Sequence, residues 1–301
     1  MEFTGERFIP DNNSLDELTL EHKHRYLAIM DLVKNKRVAD IACGEGFGSD
    51  LLAKTALSVV GIDISQEAIE HALATYKKDN LRFQTGDIGK LSLPDKSVDI
   101  VVSFETIEHV SEKKQAAFLA EANRILAENG LFVISTPNKE IYSDLLNQNN
   151  RFHKQELYRN EFMGLLKKYF QNVIFFEQGF EIASVISSDN SSSIKILELP
   201  GIKHPIGKYI VAVCSRENEL LSRIDISSML HEVPSSFYLK NSRILSLQNE
   251  AERIGSWAHR LEKIIANQEK KIVKLESKSF LSKLKVGKNW LKNNLMRWKN
   301  I

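Results

Sequence analysis

Within Ser103-Phe-Glu-Thr-Ile-Glu-His-Val110 stand three side chains suited to activating a hydroxyl. Glu105, Glu108 and His109 occupy positions i, i+3 and i+4, so on a helical turn they share one face. Two carboxylates and an imidazole on one face make a ligand set for a divalent cation such as Mg²⁺ or Mn²⁺. A bound cation draws a hydroxyl towards its alkoxide, a better nucleophile. The same residues admit a metal-free reading, with His109 as general base, oriented by Glu105 and ordinarily titrating close to working pH. A third reading is a plain helix start, in which Glu108 merely gains from the helix dipole. The sequence does not separate the first two.

A second constellation points to a nucleotide-like ligand. Val38-Ala-Asp-Ile-Ala-Cys-Gly-Glu-Gly-Phe-Gly48 reads as a strand that ends in a glycine-rich turn and opens into a helix. Glycine suits a turn that must be tight and a backbone that must approach a ligand closely. Asp63 ends the next strand about 20 residues past the first glycine, where a carboxylate can accept both hydroxyls of a ribose. Gly86-Asp87-Ile88 follows the third strand, and Leu93-Pro-Asp-Lys-Ser-Val-Asp99 leads into the fourth. Nicotinamide-binding domains place glycines similarly, but no catalytic motif of an oxidoreductase accompanies these.

The elements that must position these residues alternate between strand and helix from Lys36 to Ser215. Predicted strands are Arg37–Ala42, Ser58–Ile62, Leu81–Gln84, Val98–Phe104, Gly130–Ser135, Asn172–Glu177 and Tyr209–Cys214. Several are short continuous apolar runs, as expected of strands covered on both faces. Predicted helices are Gly48–Thr55, Gln66–Tyr76, Glu112–Glu128 and Arg159–Tyr169. The third is the best bounded, with Ser111 as N-cap and Asn129-Gly130 as stop. Such alternation predicts an α/β fold, a doubly wound, Rossmann-like parallel sheet of seven strands. In such sheets ligands bind at the carboxyl ends of the strands, where the Ser103–Val110 segment lies.

The combination resembles the class I S-adenosylmethionine-dependent methyltransferases over nearly all of residues 36–216. The resemblance implies that the loop from Asp40 to Gly46, with Ala42 and Gly44, lies against the methionine part of the cofactor. It implies that Asp63 binds the ribose and that Asp87 with Ile88 lies at the adenine; Ile64 and Phe104 complete the set. Ala39 departs from the pattern, where a larger aliphatic is usual. The Glu-x-x-Glu-His pattern is similar to that of ubiquinone-pathway O-methyltransferases and small-RNA 2′-O-methyltransferases, which implies metal-assisted methylation of a hydroxyl. His153 falls where the RNA enzymes supply a further histidine ligand, so the implied set is Glu105, Glu108, His109 and His153.

Phe3-Thr-Gly-Glu-Arg-Phe-Ile-Pro10 and Leu20-Glu-His-Lys-His-Arg-Tyr26 resemble the N-terminal signature of methyltransferases common among bacterial surface-polysaccharide and sugar-modifying enzymes. The resemblance implies a segment that closes over the cofactor. Arg7, His24, Arg25 and Tyr26 then face the methionine carboxylate or the acceptor, with Arg25 counted among the cofactor-binding residues. The expected reaction is O-methylation of a sugar or surface glycan. The alternatives are methylation of a small quinone or lipid precursor, or a catalytically idle scaffold for glycan-assembly enzymes.

Beyond Ser215 the pattern changes. Ile244, Leu247, Ala251, Ile254, Ala258, Leu261, Ile265, Gln268, Ile272, Leu275 and Ser279 are spaced three and four in strict alternation, which predicts a coiled-coil helix and a homo-oligomer. Phe280–Ile301 carries six cations and no acid, so the rest of a chain of net charge +2 is acidic. Leu284, Leu291, Leu295 and Trp298 give this tail one apolar helical face, suited to an anionic membrane surface or a glycosyltransferase partner. An acidic body argues against nucleic acid as a partner. The expected organisation is an N-terminal cap (1–35), a methyltransferase domain (36–216), a linker (217–241), a coiled coil (242–279) and a basic amphipathic tail (280–301). MEFTGERFIP lacks the features of a secretory signal, so the expected location is cytoplasmic, with the tail at the inner face of the membrane.

Overall fold

The computed structural model describes residues 17–148, 150–179, 207–217, 221–228 and 230, and short stretches between 254 and 289. Arg7, the serine cluster Ser191–Ser193, and most of the heptad seam and basic tail lie outside the described residues. The chain divides into two units, Met1–His231 and Glu232–Ile301.

In the first unit the helices α1 (Glu17–Ala28) and α2 (Met30–Val33) precede β1 (Arg37–Ile41). There follow α3 (Phe47–Leu52), β2 (Ser58–Asp63), α4 (Gln66–Thr75), β3 (Leu81–Thr85) and β4 (Val98–Phe104). A 3-10 turn (Ile107–His109) leads to α5 (Glu112–Ile125), β5 (Leu126–Pro137) and a π-helical turn (Glu140–Leu145). The last elements are α6 (Arg159–Leu166), β6 (Asn172–Gln178) and β7 (Tyr209–Ser215). The strands form one sheet in the order β3-β2-β1-β4-β5-β7-β6, with β7 antiparallel to both neighbours.

The period-two alternation of the strands sorts apolar side chains onto the two sheet faces. Ala39, Ile41, Val101, Phe132 and Ile134 pack against α5 and α6 through Phe118, Leu119, Ala122, Phe162 and Leu166. Val38, Val59, Ile100, Val102 and Val133 pack on the other side with Tyr26, Leu52, Ile69 and Ala72. Helices therefore cover both faces, which is why β4 and β7 are almost wholly buried. The parallel register places Asp40 beside Gly61 and Val102, so Asp63 and Phe104 emerge together at the carboxyl edge.

The N-terminal helix α1 is fastened to the far side of the sheet. Lys208 Nζ donates to Glu21 Oε1 at 3.0 Å, Tyr209 Oη donates to Glu21 Oε2 at 3.0 Å, and Gln178 Nε2 donates to the Glu21 carbonyl at 2.9 Å. Burial pushes the Glu21 carboxyl up, and the Lys208 ammonium opposes that shift. Tyr26 lies on Gly48, where an added Cβ would fall 1.9 Å from the ring; only glycine lets α1 approach the start of α3 this closely.

Three sequence expectations need correction. The sheet is mixed and not wholly parallel, because β7 runs antiparallel between β5 and β6. The helix predicted to run to Glu128 ends at Ile125, because Leu126 is extended, buried and paired with Val98. The Asn129-Gly130 stop signal thus lies inside β5. In the predicted linker, Leu221 and Ile226 pack into the core beside Val211 and Val213, so part of that segment completes the domain. In the second unit, residues 259–267 are helical and Ile254, Ile264 and Ile265 are exposed. The seam as a whole lies outside the described residues. Among the described residues no helix is long and apolar enough to cross a membrane.

Candidate active site

A cavity of about 420 Å³ opens at the carboxyl ends of β1, β2 and β4, roofed from α1 by Leu18, His22 and Tyr26. Of the predicted cofactor residues, Ala42, Gly44, Asp63, Ile64, Asp87, Ile88 and Phe104 line it. Ala42, Gly44 and Gly46 all have positive φ, at 58°, 54° and 87°. Glycine adopts such angles readily, whereas Ala42 holds one against its own Cβ, a strain that tight functional turns retain. Gly46 is required for a second reason: a Cβ there would meet Phe83 at 2.6 Å.

Asp63 braces the loop. Its Oδ2 accepts from Gly44 N and its Oδ1 from Ser65 N, both at 2.9 Å. A carboxylate has about four lone-pair sites, so acceptor capacity is left for ribose hydroxyls. Asp87 lines the cavity but is already ion-paired to Lys114 Nζ at 2.5 Å, which with the Gly89 N–H holds its carboxyl below the usual range. Asp40 does not line the cavity; it lies beneath the loop, fully buried. It accepts from Ser49 Oγ at 2.6 Å and more distantly from the Tyr26 hydroxyl. Burial raises its carboxyl to about 7, and the nearby Asp63 charge adds to the rise. Gly46 likewise shapes the loop without lining the cavity.

Arg25 is also outside the lining. Its Nη1 donates to Gln178 Oε1 at 2.7 Å and its guanidinium stacks 4.7 Å from the Tyr209 ring centre. In this arrangement the Arg25 guanidinium is therefore directed to β6 and β7 and not into the cavity lining. His24 faces Ser228 Oγ at 3.0 Å instead of the cavity.

The other end of the same cavity gathers Glu105, Glu108, His109 and His153. One ligand atom each from Glu108, His109 and His153 lies within 4.8 Å of the others. Glu108 is fully buried; its Oε2 accepts from Thr136 Oγ1 at 3.1 Å while its Oε1 has no hydrogen-bond partner. Burial, reinforced by the Glu105 charge, drives its carboxyl well above the usual range. A buried carboxyl oxygen without a partner is costly in either protonation state unless something occupies the site. His109 Nε2 stands 3.8 Å from it. The donor set, one buried carboxylate and two imidazoles, fits a divalent cation.

Glu105 sits apart from that trio. Its φ of 53° turns the chain sharply after β4, and its Oε1 accepts from Ser135 Oγ at 2.6 Å. The expectation that Glu105 orients His109 is corrected as well. His109 Nδ1 lies 3.2 Å from the Phe152 carbonyl, an acceptor only, so the neutral ring carries its proton there. The backbone fixes this encounter: Lys154 N and Gln155 N donate to the Glu108 carbonyl, which brings the His109 and His153 ring centres to 4.9 Å.

Several cavity residues escaped the sequence reading. Tyr142 comes from the π-helical turn, Tyr209 from β7 and Asn150 from the following loop, none with a motif to mark it. Glu45 lies between the loop glycines and has a buried oxygen without a partner; its position within the motif was its only signal.

Residues 39–134 match the methyltransferase domain family. A protein of Mycolicibacterium smegmatis named a probable S-adenosylmethionine-dependent methyltransferase is 36% identical over 165 residues, covering 54% of this chain and 63% of that protein. A ubiquinone biosynthesis O-methyltransferase of Pelagibacter ubique is 35% identical over 112 residues, covering 37% of this chain and 46% of the other. The chain thus spans less than two thirds of the length of each of these two relatives. A crystal structure of a Pyrococcus horikoshii protein superimposes with a TM-score of 0.52 at 22% identity, covering 69% of this chain and 94% of that one, a likeness of fold. Sheet and family match agree: residues 39–134 match a methyltransferase domain, and the relatives that align with it carry the names of S-adenosylmethionine-dependent methyltransferases and O-methyltransferases.

Proposed function

We propose that the protein transfers the methyl group of S-adenosylmethionine to a hydroxyl of a sugar or glycan. The observation that carries this reading is the union, in one cavity, of the glycine loop and Asp63 with the Glu108–His109–His153 cluster. The first end offers acceptors and backbone N–H groups to a nucleoside and an amino acid. The second offers a hydroxyl a means of losing its proton. A divalent ion held by Glu108, His109 and His153 lowers the pKa of the acceptor hydroxyl when bound. Glu105 closes the wall beside the reacting group, and His109 presents Nε2 towards Glu108. Phe104, Tyr142 and Tyr209 add aromatic walls to the same cavity.

Sugar as the acceptor is supported by the polar groups of that end, where the second oxygen of Glu105 and the ammonium of Lys154 offer hydrogen-bonding groups to a polyhydroxylated ligand. The second reading, a quinone precursor, is favoured by the names of two relatives, each a ubiquinone biosynthesis O-methyltransferase. The heptad seam supports association with a second copy, and the basic tail an anionic membrane surface or a glycosyltransferase, at the cytoplasmic face. Release of S-adenosylhomocysteine with a panel of sugar nucleotides and catechols tests the assignment. Turnover on the sugars is expected, and turnover on catechols alone would overturn the glycan reading.

A further inference from the structure

The loop that delivers His153 contains an acid, Glu156, that lies outside the Glu-x-x-Glu-His motif. His153 Nδ1 lies 2.5 Å from Glu156 Oε1, and the other oxygen of Glu156 accepts from Ser143 Oγ in the π-helical turn. The side chains are 7% and 10% exposed, so water competes little for this pair. On the opposite side of the ring, Asn150 Nδ2 stands 3.0 Å from His153 Nε2. A carboxylate accepts and an amide nitrogen donates. Both neighbours therefore demand the same tautomer, with the proton on Nδ1 and the lone pair on Nε2. The Tyr142 ring, from the same turn as Ser143, lies 5.5 Å from the His153 ring centre and closes its third side.

We propose that Glu156 is a positioning residue that locks His153 in the Nδ1–H tautomer and so presents Nε2 as a metal ligand beside Glu108 and His109. The proposal rests on the metal reading of the preceding section. Ligand histidines are commonly held this way, the second ring nitrogen donating to a carboxylate that fixes orientation and raises basicity. Asn150 then serves as a placeholder, engaging the Nε2 lone pair until a cation displaces it. Ser143 and Tyr142 belong to the device because they hold Glu156 and the ring plane. The π-helical turn that supplies both is itself a form that concentrates at functional sites.

The test uses the full chain with Mn²⁺ as probe, its binding followed by loss of the free-ion electron paramagnetic resonance signal. Glu156→Gln preserves shape but gives His153 a side chain that can also donate. The expected result is Mn²⁺ affinity lower by about 10- to 100-fold, the usual loss when such a partner is removed, with S-adenosylmethionine affinity unchanged. Ring ¹⁵N shifts of His153 in the cation-free protein are expected to show Nδ1–H in the parent and a mixture of tautomers in Glu156→Gln. Should that variant misfold, Ser143→Ala, which only frees one oxygen of Glu156, is expected to weaken Mn²⁺ in the same direction by less. A parent that binds Mn²⁺ and a Glu156→Gln that binds it equally, with Nδ1–H retained, would overturn the positioning role and leave the metal reading standing. A parent that binds no Mn²⁺ would overturn both.

Discussion

Asp40 offers the sharpest test of the physics beneath the glycine loop. It is fully buried, has one short hydrogen bond from Ser49, and has its carboxyl lifted from 3.8 to about 7. An acid raised on folding holds its proton in the native state after the unfolded chain has lost it. Unfolding stability therefore falls as pH rises from 3.8 to about 7 and is flat beyond, with a slope of about 1.4 kcal/mol per pH unit. The whole displacement amounts to roughly 4 kcal/mol, of which roughly 2–3 kcal/mol falls between pH 5 and pH 8.5. Asp40→Asn keeps the shape and removes this contribution. Glu108 and Glu21 also have raised carboxyls, so the useful quantity is the difference between parent and variant. Urea unfolding of the cofactor-free proteins across that range should show the variant gaining on the parent by this amount as pH rises. A difference that stays constant from pH 5 to pH 8.5 would refute the argument, because Asp40 would then be ionised throughout. The variant should also bind S-adenosylmethionine more weakly, since a cationic amino acid near the loop favours the ionised form.

Asp63→Ala should weaken S-adenosylmethionine binding by roughly 1.5–3 kcal/mol, because it removes both a charged acceptor and the brace on Gly44; calorimetry reads the change. Exhaustive chelation should abolish turnover while cofactor affinity stays nearly intact, and Glu108→Gln should lose activity that excess Mn²⁺ partly restores. Full activity after chelation would leave His109 as the base. Gly48→Ala should lower the melting temperature, with a cost of about 1–3 kcal/mol for driving a methyl group into the Tyr26 ring, and Tyr26→Ala should relieve part of it. A chain ending at His231 should keep its fold and form a smaller species by light scattering than the full chain. Equal masses would remove the seam as an association surface.

The strands were legible because covering both faces of the sheet leaves continuous apolar runs; all seven appear within two residues of their predicted ends, except β5 at its start. That strand begins four residues early because its pairing with Val98, a contact between distant segments, overrides a local Asn-Gly signal. The glycine loop and Asp63 were legible as neighbours because a tight turn demands glycine, and the loop and the acid fall at the ends of adjacent strands. The Glu-x-x-Glu-His end of the cavity was legible only in part. Glu108, His109 and His153 converge, but Glu105 is taken by Ser135, and the partner of His109 is a backbone carbonyl, which no residue type announces. Arg25 was misplaced for a similar reason: its destination, Gln178 and Tyr209, lies more than 150 residues along the chain.

That distance has a consequence for how the protein is made. Leu18, His22 and Tyr26 roof the cavity, and the helix that bears them is tied down by Gln178, Lys208 and Tyr209. During synthesis the roof therefore leaves the ribosome early and must wait for the last two strands before it can be seated. The glycine loop and Asp63 can meet long before that, from β1 and β2 alone. A nascent chain should thus acquire cofactor affinity late and abruptly, when β7 slots between β5 and β6 and the helix finds Glu21's partners. Until then the exposed edge of β5 and an unseated helix are what the cell's chaperones would meet.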